Sequence, residues 1–233
     1  MGMPIHRIRG RAFLVVAAVV ALVAAWSGPA QALAPHSLDC FGNLLPTNVL
    51  YADQAGTPET DANGGYQVFG TAADEVIVGS SGGDHIDGGG GTDIICGGDG
   101  DDGLYDILDS AHATIDGEDG VDTIIGSTNH DVLNGGDGAD IIYGEEGKDT
   151  IHGDNGPDTV YGGKGDDTLY GDDGKDVLHG EIGADTIYGG DGADDILCGE
   201  GNSGDYADGG VESPTGIDTV FANSGCDVTV NIP

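Results

Sequence analysis

The sequence predicts an all-β fold: a parallel β-roll, a right-handed β-helix of two facing parallel sheets, with 18 residues per coil and a short cap at each end. Three observations predict it. From Gly117 to Leu197 a Gly recurs every nine residues, at 117, 126, 135, 144, 153, 162, 171, 180 and 189. Five places after each Gly stands an Asp, with an aliphatic residue two places further on. Acidic residues outnumber Lys and Arg by 42 to 6, so a compact form needs cations from outside the chain. A fixed internal period sets the architecture before any local propensity is considered.

Residues 1–32 read as a secretory signal peptide. His6, Arg7, Arg9 and Arg11 make a basic start, Phe13 to Trp26 is an apolar run of 14, and Ala30-Gln31-Ala32 is a small-x-small cleavage site. The run falls short of the ~20 residues of a membrane span. Cleavage after Ala32 removes every Arg and leaves Lys148, Lys164 and Lys175 against 42 acidic residues, a formal charge of −39. Such a chain repels nucleic acid. The expected localisation is extracellular, with no membrane span in the mature chain.

Residues 33–69 carry no repeat and are expected to form the N-terminal cap, with short strands at Leu44-Leu45 and Val49-Leu50-Tyr51. Stacked repeats need atypical ends to cover their last coils. The roll is expected over 70–208. It opens with a degenerate unit from Gly70 that carries Glu75 in place of Asp. Between Gly97 and Gly117 two residues are extra, and Ala113 falls at the acid position, so a bulge and a missing metal site are expected near Leu104 to Ala113. The unit from Gly189 is read with one extra residue, leaving Asp194 and Asp195 to compete for the acid position. Asp205, Asp218 and Asp227 open weaker echoes, and 209–233 is expected to be the C-terminal coil and cap.

Within a unit, side chains alternate across the strand, so Ile151 points inward while Thr150 and His152 point outward. The expected core is Ile77, Ile86, Ile95, Ile124, Leu133, Ile142, Ile151, Val160, Leu169, Leu178 and Ile187. At ~4.8 Å per coil, eight coils make a rod on the order of 40 Å long. Loops on one edge come from units two apart. That stacks Asp122, Asp140, Asp158, Asp176 and Asp194 on one edge and Asp131, Asp149, Asp167 and Asp185 on the other. Bare carboxylates at that spacing repel. A hard cation between loops removes the repulsion, and calcium, with its six to eight oxygen ligands, suits Gly-rich loops better than magnesium.

Gly135-Gly136-Asp137-Gly138-Ala139-Asp140-Ile141-Ile142-Tyr143 fits G-G-x-G-x-D-x-U-x at every fixed position. The chain therefore resembles the RTX nonapeptide family, the hemolysin-type calcium-binding repeat. The resemblance implies calcium held between loops of adjacent coils, with the sixth-position Asp as side-chain ligand. The expected metal ligands are Asp84, Asp93, Asp102, Asp122, Asp131, Asp140, Asp149, Asp158, Asp167, Asp176, Asp185 and Asp194. The regular block offers four pairs on one edge and three on the other, and Glu75/Asp93 and Asp84/Asp102 add two. About seven to nine calcium ions are expected. Asn129 replaces a loop Gly and puts that loop's geometry in question.

Cys40, Cys96, Cys198 and Cys226 in a secreted chain point to disulfides. Cys96 and Cys198 are ~27 Å apart by strand spacing, so Cys40–Cys96 and Cys198–Cys226 are the expected pairs. Gly79-Ser80-Ser81-Gly82-Gly83 fits a nucleophile elbow by letter only, since no strand-turn-helix surrounds it. Gly98 to Gly103 fits a dinucleotide fingerprint without the helix that binding needs. No catalytic residue and no cofactor beyond calcium are expected. Tyr143 with Tyr161, and Tyr170 with Tyr188, are expected to stack on the two outer faces. The expected function is a secreted, calcium-stabilised structural, adhesive or ligand-displaying module with an unidentified cell-surface or glycan partner. The alternative is a carbohydrate-binding protein or polysaccharide-modifying enzyme using the roll's outer face.

Overall fold

One aliphatic side chain per nine residues buries a single inward position, and the short strands form around it. In the computed structural model the described residues are 49–51, 65–106, 112–199, 204–212, 219–221 and 226–229. The described strands fall within the unit Leu38–Pro233; the unit Met1–Ser37 and Leu44-Leu45 lie outside the described residues. No helix is present among the described residues, and none is long and apolar enough to cross a membrane. Thr150–Asn155 is representative: Ile151 is fully buried and its two neighbours are half-buried.

Successive coils pair as parallel strands in two sheets. One sheet runs through Val49–Tyr51, Val76–Val78, Ile94–Asp99, Thr114–Gly120, Val132–Gly138, Thr150–Asn155, Thr168–Gly174, Thr186–Gly192, Asp205–Asp208 and Cys226–Thr229. Val211–Glu212 pairs beside Thr186–Gly192. The other runs through Gln67–Phe69, His85–Asp87, Gly103–Tyr105, Thr123–Ile125, Ile141–Tyr143, Thr159–Lys164, Val177–Ile182, Asp195–Leu197 and Thr219–Phe221. In the regular block the register advances 18 residues per coil, as Ile151↔Leu169 and Leu169↔Ile187 show. The ladders extend past the repeats at both ends, since Val49–Tyr51 pairs Val76–Val78 and Asp205–Asp208 pairs Cys226–Thr229.

All eleven expected core residues are fully buried in one cluster, joined by Leu104, Ile115, Ile196 and Ala207. Burying a Leu or Ile side chain yields about 1.5–3 kcal/mol. With one such side chain per nine residues, against a cost of ~1–2 kcal/mol to fix each residue's backbone, this core alone does not hold the coils.

Two irregularities resolve. The extra residues before Gly117 leave both sheets in register, with Ile95↔Ile115 and Leu104↔Ile124 aligned across a step of 20. Residues 107–111 of that coil lie outside the described residues. The unit from Gly189 differs from the expectation. Leu178 pairs with Ile196, so the nine-residue phase holds through Leu197, and two extra residues fall after it, as Ile187↔Ala207 shows. Asp194 takes the acid position and Asp195 points outward, with its carboxylate 3.1 Å from Nζ of Lys175.

Candidate metal centre

Each acid sits where the chain leaves a loop and enters a strand. All twelve expected Asp residues are buried. They form two columns. On one edge, Oδ1 of each Asp accepts the backbone N–H of the acid one coil earlier. Asp84 N–H donates to Asp102, Asp102 to Asp122, Asp122 to Asp140, Asp140 to Asp158, Asp158 to Asp176 and Asp176 to Asp194, at 2.6 to 2.9 Å. On the other edge, Glu75 N–H donates to Asp93 at 2.8 Å. The column resumes with Asp131 to Asp149, Asp149 to Asp167 and Asp167 to Asp185, at 2.8 to 3.0 Å. The edge partition read from the period is the one the fold adopts.

One oxygen of each carboxylate is thus used by the fold. The second oxygen, Oδ2, of Asp102, Asp122, Asp140, Asp149, Asp158, Asp167, Asp176 and Asp185 is buried without a hydrogen-bond partner. Each faces the leading Gly of its own unit. At Gly135 a Cβ would lie 2.7 Å from Asp140 Oδ2 and 2.6 Å from the Gly153 carbonyl oxygen. At Gly153 the corresponding distances are 2.6 Å to Asp158 Oδ2 and 2.8 Å to the Gly171 carbonyl oxygen. A carboxylate oxygen and a backbone carbonyl therefore converge where the side chain is missing. Buried anions need pairing or a metal, and this all-oxygen set fits a hard divalent cation.

Burial pushes the Asp102 carboxyl up to about 8. It pushes Asp122, Asp149, Asp158, Asp176 and Asp185 up to about 7. Loss of water is the main cause. The N–H bond from the preceding coil opposes it, and the charges of neighbouring acids add to it. Asp131, Asp140 and Asp167 are raised for the same leading reason.

Asp84 and Asp131 differ from the rest. Oδ2 of Asp84 accepts the Ser80 N–H at 2.5 Å, and Oδ2 of Asp131 accepts the Ser127 N–H at 2.6 Å. Asn129 leaves its loop in place, with its carbonyl oxygen packed against Gly147 as the Gly equivalents pack elsewhere. Ala113 stands at the acid position, fully buried, and donates its N–H to Asp131 Oδ1 at 2.7 Å without offering a carboxylate.

Two acids escaped the sequence reading of the site. Asp205 continues the second edge, accepting the Asp185 N–H at 3.2 Å across a step of 20 residues. Its D-x-U-x echo was the available signal. Asp106 is fully buried and occupies the leading-Gly place of the irregular coil. A Cβ on Gly88 would lie 3.1 Å from Asp106 Oδ1 and 2.9 Å from Asp93 Oδ2. Asp106 thus brings a carboxylate to the coil in which Ala113 lacks one.

The family model for the RTX calcium-binding nonapeptide repeat (4 copies) matches residues 69–104, 116–151, 143–178, 152–186 and 170–204. The chain belongs to the RTX calcium-binding repeat family. The gap between matches, 105–115, is the irregular coil with Asp106 and Ala113. No curated protein sequence matches the chain. The RTX repeats bind calcium, and in this roll they make a calcium-binding structural module.

The outer faces carry aromatic columns. Tyr143 stacks on Tyr161 at 4.9 Å between ring centroids, and Tyr161 on His179 at 4.7 Å. On the opposite face His152 stacks on Tyr170 at 4.3 Å and Tyr170 on Tyr188 at 5.1 Å. The rings turn their faces to one another and their edges outward. A cavity of about 200 Å³ beside the first column is lined by Tyr143, Tyr161, Glu145, Glu146, Lys164 and Glu181.

Proposed function

We propose that the chain is a secreted calcium-binding module whose roll closes as calcium enters the acid loops, and that it acts as a structural, adhesive or ligand-displaying element. One observation carries this reading: the column of buried Oδ2 atoms without hydrogen-bond partners, each facing a backbone carbonyl. Bound there, calcium neutralises the carboxylates and ties each coil to the next. Asp93, Asp102, Asp122, Asp140, Asp149, Asp158, Asp167, Asp176, Asp185 and Asp194 are the ligands of this reading, with Asp84 and Asp131 at its margins. Ion binding then supplies folding free energy that the thin core lacks.

Secretion rests on the basic and apolar segment of residues 1–32 and its small-x-small site. The cysteines agree with an oxidising compartment. Cys96 and Cys198 are fully buried, and no described cysteine is a free thiol. The expected pairing, Cys40–Cys96 and Cys198–Cys226, would pin each end to its nearest coils. Cys40 and the Cys226 side chain lie outside the described residues.

Equilibrium dialysis of residues 33–233 against labelled calcium tests the reading. About seven to nine ions per chain are expected, with half-saturation at about 10⁻⁴ to 10⁻³ M. A chain that binds one ion or none contradicts it.

The carbohydrate alternative draws on the cavity between Tyr143, Tyr161 and Lys164. A sugar ring there meets tyrosine edges, because the ring faces are stacked on one another. A glycan array run with and without calcium separates the two readings.

A further inference from the structure

The acid loops are of two kinds, and the second residue of the nine marks the difference. In one kind that residue is left-handed. Glu118, Glu145, Asp154, Asp172 and Glu181 have φ between 66° and 73°, and Gly136 and Gly163 have φ of 104°. The acids of these seven units are Asp122, Asp149, Asp158, Asp176, Asp185, Asp140 and Asp167. Every one has a buried Oδ2 without a hydrogen-bond partner.

In the other kind the second residue is Thr71, Ser80 or Ser127, and none of the three is left-handed. Each folds over its own acid four residues on. Thr71 donates its N–H to Glu75 Oε2 at 3.0 Å and its hydroxyl to Oε1. Ser80 gives Asp84 its N–H, and its hydroxyl at 3.2 Å. Ser127 gives Asp131 its N–H, and its hydroxyl at 3.0 Å. Hydroxyl side chains commonly close local turns in this way. At Asp131 both the N–H and the hydroxyl of Ser127 point at Oδ2, the oxygen that elsewhere is left for a cation. At Asp84 the Ser80 N–H takes Oδ2 and its hydroxyl Oδ1, and at Glu75 the Thr71 N–H and hydroxyl take one oxygen each.

The position of these loops follows a pattern. Asp84 is preceded on its edge by Tyr66, whose N–H it accepts at 2.6 Å, and Asp131 is preceded by Ala113. Both therefore lack an acid one coil earlier. The residue preceding Glu75 lies outside the described residues. Self-closed loops stand where a cation between coils would find a carboxylate on one side only.

We propose that the second residue of each unit decides whether its loop takes calcium, and that Thr71, Ser80 and Ser127 close their loops without an ion. This rests on the calcium reading above. It assigns these hydroxyl residues as specificity determinants, with the cation-dependent loops being the left-handed units whose acids run from Asp122 to Asp185, and the loops of Glu75, Asp84 and Asp131 independent of the ion.

The test compares Gly136→Ser with Gly136→Ala in the whole chain. On the present backbone either Cβ overlaps the Glu118 carbonyl oxygen, but only serine brings a hydroxyl able to close on Asp140. Calcium stoichiometry by equilibrium dialysis and strand content by circular dichroism are read together. The serine variant is expected to bind one ion fewer than wild type and to keep its strand signal at saturating calcium. The alanine variant is expected to bind the wild-type number of ions, since Glu118, Glu145, Asp154, Asp172 and Glu181 carry a Cβ at the same place of their units. The proposal is overturned if the serine variant binds the wild-type number of ions, or if the alanine variant loses an ion as the serine variant does. A wild-type chain that binds no calcium defeats the functional reading instead, which keeps the two failures apart.

Discussion

The backbone N–H of Asp158 donates to Oδ1 of Asp176 at 2.9 Å, while Oδ2 of Asp176 is buried without a hydrogen-bond partner. One carboxylate thus does two jobs: it stitches adjacent coils, and it leaves an anionic oxygen inside the edge. Asp176→Asn keeps an acceptor for the Asp158 N–H but removes the charge. It is expected to lower calcium stoichiometry by about one and to leave the roll formed at saturating calcium. Asp176→Ala also strands the Asp158 N–H, which costs a further 1–3 kcal/mol or so. Urea unfolding of the two variants at saturating calcium measures that difference; equal stabilities would contradict the stitching role.

The raised carboxyl pKa values set a pH dependence. A carboxyl that holds its proton more tightly in the folded chain favours the fold when protonated. That contribution is fully present below the unfolded value of about 4 and is lost as pH rises. For Asp122, Asp149, Asp158, Asp176 and Asp185 the loss runs through about 7. The calcium-free chain is therefore expected to gain strand signal on acidification from pH 8 to about 5. Calcium has to displace the same protons, so its apparent affinity should weaken between pH 8 and 6, with proton release on binding in weak buffer. An affinity that strengthens on acidification would contradict this assignment.

Gly174 packs against the Gly156 carbonyl oxygen of the preceding coil, and a Cβ there would overlap that oxygen. Its φ is not left-handed, so the close approach alone demands glycine. Gly174→Ala is expected to cost about 1–3 kcal/mol or more, as overpacking does. Thermal unfolding in calcium checks this, and an unchanged midpoint would contradict the packing.

Asp106 supplies the irregular coil with the carboxylate that Ala113 lacks. Asp106→Asn is expected to lower calcium stoichiometry by about one, whereas Ala113→Ser should leave it unchanged. Isothermal titration of both variants distinguishes a ligand role for Asp106 from simple burial.

Much of this was legible because the period is strict. A repeat of nine with one aliphatic and one Asp per unit forces two edges and one core, so Asp140 and Asp149 fall on opposite edges and Ile142 and Ile151 both point inward. What the period hid were features that depend on side chains outside its template. Asp106 stands at a Gly position, so an acid ladder counted at the sixth place passes it over. Ser127 looks like a neutral change in a polar loop, yet its N–H and hydroxyl engage Asp131. After Gly189 the next Gly comes one residue late, which suggests a break in phase, while the strand pairing is set by Ile196. The aromatic columns were expected, but sequence spacing does not show that Tyr143 and Tyr161 lie face to face, 4° from parallel.

A calcium titration of residues 33–233 followed by far-ultraviolet circular dichroism tests an ion-held roll most directly. A chelated sample should show little strand signal near neutral pH. The signal should rise cooperatively as calcium passes about 10⁻⁴ to 10⁻³ M, and equal magnesium should not reproduce it. Strand signal that is already complete in chelator, or that fails to rise at several millimolar calcium, would contradict a roll held together by the ions in its acid loops.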